Sequence, residues 1–379
     1  MQPTLEEISV IVQQHGFSGF SITHAKSLPR AGRHLEDWRQ AGFDADMHYL
    51  SKPAKRDQPE LVMEGTKSIL SVAMNYFSGT ANDKIPSSTE PFIARYARGN
   101  DYHRVLKSKL GALAVELGRL VGRTIGWRAC VDTAPLLERD YAAAGGLGFI
   151  AKSSMLITPG LGSYTLLGEL LVDCQLPTTP AKQERCGTCT QCIVDCPTGA
   201  FEGPRNLDAR KCISYWTIET RQSIPLPIRE VMENMVFGCD RCQEVCPFNA
   251  SPKPKLVDRD LSPLEKLEAL SLEALLGLTT SEHKRLVKGT ALERAARDQL
   301  MRNAAVAMGN SGSLKFVPTL TEALQHNRYP VVREHCAWAL GKLGGADARQ
   351  ALEQASMSGD ETDPVVQQAI ANALERCRY

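Results

Sequence analysis

Eight of the chain's twelve cysteines fall between positions 186 and 246, at spacings that leave few options for what that stretch can become. The first run is Cys186-x2-Cys189-x2-Cys192-x3-Cys196-Pro197. Spacings this short wrap three thiolates around one face of an iron–sulfur cube and send the fourth to a neighbouring cluster. The second run, Cys239-x2-Cys242-x3-Cys246-Pro247, lacks a first cysteine at the usual distance, and Cys212, 27 positions before Cys239, is the only nearby replacement. Exchanging the fourth cysteines predicts one [4Fe–4S] cluster on Cys186, Cys189, Cys192 and Cys246 and a second on Cys196, Cys212, Cys239 and Cys242, which uses all eight thiolates. Paired zinc sites also use Cys-x2-Cys, but they do not usually combine three cysteines at x2 spacing with a closing x3-Cys-Pro. Thiols crowded in this way point to metal instead of disulfides, and to a reducing compartment. The remaining Cys130, Cys174, Cys336 and Cys377 read as small core hydrophobes.

Clusters only relay electrons, so the chemistry must lie elsewhere in the 379 residues, a length that fits two or three domains. The chain is 43% hydrophobic and 23% charged with a net charge of +1, so any nucleic-acid footprint must be a local patch. The first residues, Met1-Gln2-Pro3-Thr4-Leu5-Glu6-Glu7, are acidic and lack an export signal. The longest apolar stretch, Leu166–Val172, contains Gly168 and Glu169 and is too short to span a bilayer. The expectation is a cytoplasmic protein with no membrane partner.

Residues 1–176 read as a mixed α/β domain. Leu5, Ile8, Ile11 and Val12 share a helical face that Gly16 ends as a C-cap. Ser68–Tyr76, Trp127–Asp132 and Ser163–Val172 read as strands, and Asp101–Val121 as a helix with Leu106, Leu110, Leu113 and Leu117 on one face. Asn82–Pro91 has loop composition. No Gly-x-Gly-x-x-Gly follows a strand, which argues against a dinucleotide cofactor; Gly145-Gly146-Leu147-Gly148 follows a helix and reads as a tight turn. Residues 177–255 form the two-cluster segment, entered by the polar linker 177–185 and left by the Pro/Lys linker 251–255. Residues 256–379 are helical and repetitive. Ala307-Met308-Gly309 recurs 32 positions later as Ala339-Leu340-Gly341, and Ala339-Leu340 recurs 34 positions later as Ala373-Leu374. That period in paired helices predicts HEAT-like repeats, with small residues where neighbouring helices meet.

Several segments together resemble the epoxyqueuosine reductase family. They are Arg95-Tyr96-x-x-Gly99-x-Asp101-Tyr102-His103, Val131-Asp132-Thr133-Ala134-Pro135-Leu136-Leu137-Glu138-Arg139 and Gly145-x-Leu147-Gly148-Phe149-x-x-Lys152. Leu167-Gly168-Glu169-Leu170, Cys212-Ile213-Ser214-Tyr215-x-Thr217-Ile218-Glu219, the unusual second cysteine run and Arg302-Asn303 in the tail complete the match. The resemblance implies an α/β N-terminal cobalamin-binding domain, a bacterial-ferredoxin-like domain with two [4Fe–4S] clusters and a C-terminal α-helical HEAT-like domain. It implies an enzyme that removes the epoxide oxygen of epoxyqueuosine at the wobble position of tRNA anticodons, completing queuosine. Low-potential clusters are suitable donors to a corrinoid cobalt. A reductive dehalogenase shares that cofactor set, and a non-enzymatic electron carrier would share the clusters alone. The first usually carries a twin-arginine signal and needs no helical tail; the second would not need a large α/β domain.

Candidate residues follow. Asp132, between a strand and Thr-Ala-Pro, reads on its own as an N-cap or Asx-turn residue; the resemblance makes it the proton donor, a carboxylic acid in a closed pocket. His103 sits in Asp-x-His-x-x-Leu, half of a cobalt-ligand motif without its glycine, and reads as a structural or pocket residue. In the resemblance Arg56 lies near the corrinoid, where its guanidinium suits propionamide oxygens or phosphate. Lys152, Ser153 and Ser154 are candidate donors to corrinoid amides, and Ser214 and Tyr215 adjoin Cys212, where clusters and corrinoid would meet. Residues 281–302 carry six basic side chains against Glu282, Glu293 and Asp298. Such a face is usually only solvated; as a phosphate-tracking element for tRNA it offers Lys284, Arg285, Lys288, Arg294 and Arg297. The partners expected are a tRNA carrying epoxyqueuosine and a low-potential electron donor, with the protein a monomer.

Overall fold

The computed structural model describes residues 2–51, 56–77, 86–181, 186–250 and 258–377. Parts of the expected loop (82–85) and of both linkers (182–185 and 251–255) lie outside the described residues. The chain closes into two contact units, which cut across the three segments read from sequence. Residues 1–83, 99–210 and 240–262 form the first; residues 84–98, 211–239 and 263–379 form the second.

The first unit is built on a four-stranded antiparallel sheet. Its strands are β1 (Gly19–His24), β2 (Ser68–Asn75), β3 (Trp127–Cys130) and β4 (Thr165–Val172), in the order β1-β2-β4-β3. β2 is buried along its whole length, as a central strand covered on both faces must be. The sequence anticipated β2, β3 and β4 to within two residues. It did not mark β1, where Gly19, Ser21 and Thr23 dilute the β signal, nor the polar α2 (Pro29–Gln40), which buries no residue. α1 (Leu5–Gln14) starts at a Thr4–Glu7 capping box; its C-cap is His15, and Gly16 follows with φ +82°. α3 (Tyr102–Val121) is capped by Asp101, whose side chain accepts from His103 N–H. It packs on the sheet face where Gly168 lies: a Cβ there would stand 3.0 Å from Leu110. α4 (Glu138–Ala144) covers the opposite face, with Tyr141 and Ala142 fully buried. The Gly145–Gly148 turn is a forced close approach, because a Cβ on Gly146 or Gly148 would stand 2.1 Å from the carbonyl oxygen of Pro180 or Ile157.

The second unit is mostly helical. After α5 (Thr280–Val287) come α6 (Arg297–Asn310), α7 (Val317–His326), α8 (Pro330–Leu343), α9 (Ala346–Met357) and α10 (Pro364–Arg376). The repeated small residues are where α6 meets α8 and where α8 meets α10. A Cβ on Gly309 would meet Ala339 at 2.9 Å, and one on Gly341 would meet Ala373 at 2.6 Å. Among the described residues no helix is long and apolar enough to cross a membrane.

Candidate active site

Asp132 follows β3 on a short loop, and its backbone takes a left-handed φ of +53°. For an L-residue with a side chain that conformation costs about 1–2 kcal/mol and needs outside support. The support comes from two sides. Its N–H donates to Glu138 Oε1 at 2.5 Å, and its Oδ2 lies 3.0 Å from His103 Nε2. The other ring nitrogen, Nδ1, lies 2.7 Å from Asp101 Oδ1. The helix cap and the acid are thus joined as Asp101–His103–Asp132. Burial lowers the basicity of His103, but hydrogen bonds to Asp132 and Asp101 outweigh it and leave the imidazole above its ordinary value. The N-cap reading of Asp132 is corrected here, because the N-cap of α4 is Leu137, without a side-chain bond. The Asp132 side chain is 41% exposed.

Arg56 reaches the same neighbourhood. Its Nη2 donates to the Tyr49 carbonyl at 3.1 Å and its own carbonyl accepts from Leu137 N–H at 2.9 Å. Burial lowers its pKa, against the attraction of Tyr49, Glu138 and Asp132. Its Nε is buried without a hydrogen-bond partner among the described residues. Lys152 reaches the cysteine loop: Nζ donates to the carbonyls of Gly187 at 3.0 Å and Cys189 at 2.8 Å, two of the three bonds an ammonium can donate. Ser153 is buried, and Ser154, with φ +65°, accepts at its carbonyl from Arg139.

The thiols of the first predicted set come together. Cys192 is raised by burial and then by Cys186, Cys246 and Cys189, all close enough to act on it; Cys246 feels Cys186 and Cys189 in turn. Lys152 N–H donates to Cys186 Sγ at 3.4 Å and Ala200 N–H to Cys196 Sγ at 3.3 Å, bonds of the kind that tune cluster potential. Of the second set, Cys196 and Cys242 belong to the first unit and Cys212 and Cys239 to the second. Among the described residues no disulfide forms; Cys130, Cys174 and Cys336 are buried and Cys377 partly so.

In the second unit Cys212 leads into a π-helical turn, Tyr215–Glu219, with Tyr215 buried edge-on to Trp216 at 5.3 Å. α6 holds this turn from inside. Arg302, fully buried, donates to the carbonyls of Trp216, Thr220 and Gln222, while Asn303 donates to those of Thr217 and Val236.

Three family models match the chain. "Epoxyqueuosine reductase QueG, DUF1730" covers residues 56–133, "4Fe-4S double cluster binding domain" residues 185–249 and "HEAT repeats" residues 288–375. The chain is 40% identical over 336 residues to an epoxyqueuosine reductase of Pseudomonas aeruginosa, spanning 87% of this chain and 91% of that one. This chain belongs to the epoxyqueuosine reductase family. An Escherichia coli epoxyqueuosine reductase is 34% identical over 86% of each chain. A solved epoxyqueuosine reductase with an epoxyqueuosine-modified tRNA-Tyr stem loop superposes with a TM-score of 0.89 at 29% identity, over 99% of this chain and 98% of that one. The Bacillus subtilis epoxyqueuosine reductase, solved with its catalytic aspartate loop swung out of the active site, gives 0.87 at 28% identity over 98% of each.

The chain carries a double-cluster domain for two [4Fe–4S] clusters and HEAT repeats. In the tail, Lys284, Arg285, Lys288 and Arg294 are exposed. Arg297 is only half-exposed and is spent on structure, donating to Tyr329 Oη at 2.9 Å and to the Leu278 carbonyl at 3.3 Å. Sequence reasoning missed the partnership of His103 with Asp132; the signal was a histidine two residues after a helix cap. It also passed over Glu138 and Glu169 as titratable groups, although a glutamate inside Leu166–Val172 is a charge where a core residue belongs.

Proposed function

We propose that this chain reduces epoxyqueuosine to queuosine in tRNA anticodons, drawing electrons through its two clusters. The observation that carries the reading is the Asp101–His103–Asp132 chain, found in a protein 40% identical to an epoxyqueuosine reductase over 87% of its length. Losing an epoxide oxygen as water consumes two electrons and two protons. The cysteine sets Cys186/Cys189/Cys192/Cys246 and Cys196/Cys212/Cys239/Cys242 would hold the electron relay. Asp132 would deliver a proton to the leaving oxygen. His103, 3.0 Å away and held by Asp101 in the orientation that faces Asp132, would reload it. The catalytic aspartate loop of the Bacillus subtilis relative supports this role for Asp132.

The reading extends to cobalamin, which when bound supplies a strongly reducing cobalt centre. The unspent Nε of Arg56 fits such a group, since a propionamide or phosphate oxygen would satisfy it. Arg56, Ser153, Ser154, Ser214 and Tyr215 would be the residues that hold it. Lys152 would brace the cluster loop through two carbonyls and offer its third N–H to a corrinoid amide oxygen. Exposed Lys284, Arg285, Lys288 and Arg294 would track tRNA phosphates. The protein would act in the cytoplasm as a monomer, fed by a separate low-potential donor. Anaerobic protein loaded with iron, sulfide and cobalamin should convert an epoxyqueuosine stem loop to the queuosine form when reduced, as read by nucleoside mass spectrometry. No conversion by fully loaded protein would overturn the reading.

A further inference from the structure

A second titratable cluster lies beneath the Asp132 loop. Ser21, Ser71, Glu169 and Cys130 are successive cross-strand partners across all four strands. Their side chains therefore leave the same face of the sheet, and all four residues are buried. Sheets do not ordinarily bury a row like this unless something satisfies it. Yet among the described residues neither carboxylate oxygen of Glu169 has a hydrogen-bond donor, and Ser71 Oγ has no partner.

The group that meets Glu169 is the carboxyl of Glu138, at the start of the helix covering this face. Two carboxylates in contact out of water repel one another, and burial adds the desolvation of both charges. One proton between them removes the repulsion and makes one carboxyl a donor to the other, which supplies Glu169 with its missing bond. The opposite side of Glu138 is already engaged: Oε1 accepts from the N–H of Asp132, the residue with φ +53°.

We propose that Glu138 and Glu169 share one proton, and that this locked pair holds the Asp132 backbone in its left-handed turn. Glu138 and Glu169 are then positioning residues; Glu169 acts only through Glu138. Their importance to the reaction rests on the reading of Asp132 as the acid. Burial raises both carboxyls, each further raised by a charged neighbour, Asp132 for Glu138 and Glu138 for Glu169. The other groups facing the pair are Arg139 on the same helix, Arg56, and the Cys130 thiol, itself pushed up to about 12 by burial and then by Glu169. The pair therefore keeps its proton at acidic pH. As pH rises the proton leaves, the carboxylates repel, and Glu138 withdraws from the Asp132 N–H.

The bond to that N–H can be followed directly by amide hydrogen exchange of Asp132 in the cofactor-loaded protein, corrected for the intrinsic pH dependence of exchange. Loss of one hydrogen bond should lower protection by about tenfold. Wild-type protection should fall by that much as pH rises from acid to alkaline. Glu138→Ala should lose it at every pH, and Glu138→Gln, whose amide oxygen can still accept, should regain it. Glu169→Gln, which donates to Glu138 without titrating, should keep protection flat across the range. Turnover of Glu138→Ala should fall through kcat with an unchanged KM for the stem loop. Protection that persists in Glu138→Ala, or a wild-type profile that does not change with pH, would overturn the proposal. The exchange result stands whatever Asp132 does: if Asp132→Asn retained turnover, the acid assignment would fail while the clamp was still decided by protection.

Discussion

Asp132 combines a strained backbone with an exposed carboxyl and a histidine partner, and these ask for different tests. Asp132→Asn keeps the shape and still lets His103 make a hydrogen bond, but it removes the acid. General acid catalysis contributes typically ~10²–10⁴-fold, so single-turnover reduction of epoxyqueuosine should fall by that factor, with cluster content, corrinoid binding and tRNA affinity near wild type. A fully loaded Asn variant with near-normal turnover would exclude Asp132 as the acid. Its neighbourhood was only partly legible. Asp-x-His and Asp-Thr-Ala-Pro are visible as strings 29 positions apart, but nothing in either says that they meet.

At the scale of elements, α6 does two jobs with two faces. Its Ala and Gly positions let α8 approach, as the repeat predicted, while Gln299, Arg302 and Asn303 donate to carbonyls around the π-helical turn after Cys212. Burial brings the Arg302 pKa down to about 9, so the side chain stays charged at neutral pH and is satisfied by carbonyl oxygens. Arg302→Met should leave the carbonyls of Trp216 and Gln222 without this donor, while Thr220 keeps Gln299, at about 1–3 kcal/mol for each that stays buried. The urea midpoint of anaerobic protein should drop accordingly with an unchanged slope; an unmoved midpoint would show that the turn holds itself. The neighbouring cations test differently. Reversing the charge of Lys284, Arg285, Lys288 and Arg294 should weaken tRNA binding and flatten its salt dependence, leaving reduction of the corrinoid untouched. Unchanged affinity would return the stretch to a solvated surface. Arg297 is left out of that set, since its bonds to Tyr329 and Leu278 would confound binding with stability.

For the whole molecule, the cysteine arithmetic makes the strongest demand. Eight thiolates in two four-thiolate sites should bind about eight irons per chain and little zinc after anaerobic reconstitution. Cys212→Ala should lose one cluster and keep the other, as read by iron analysis and EPR. Two intact clusters in that variant would show that another residue supplies the eighth ligand.

The cysteine spacings, the helical period of the tail and the apolar strand runs are local patterns, and each follows from a covalent or steric rule acting over a few residues. They were enough to name the cofactor class, the repeat type and three of the four strands. The sequence also carried the motifs by which the family is recognised. What it could not reveal are contacts across long separations: His103 against Asp132, Glu138 against Glu169, Arg302 against the turn after Cys212. Each brings polar groups together away from water, and the cost of desolving them is met only by a partner that folding delivers. No pattern in a string of residues records which partner that will be.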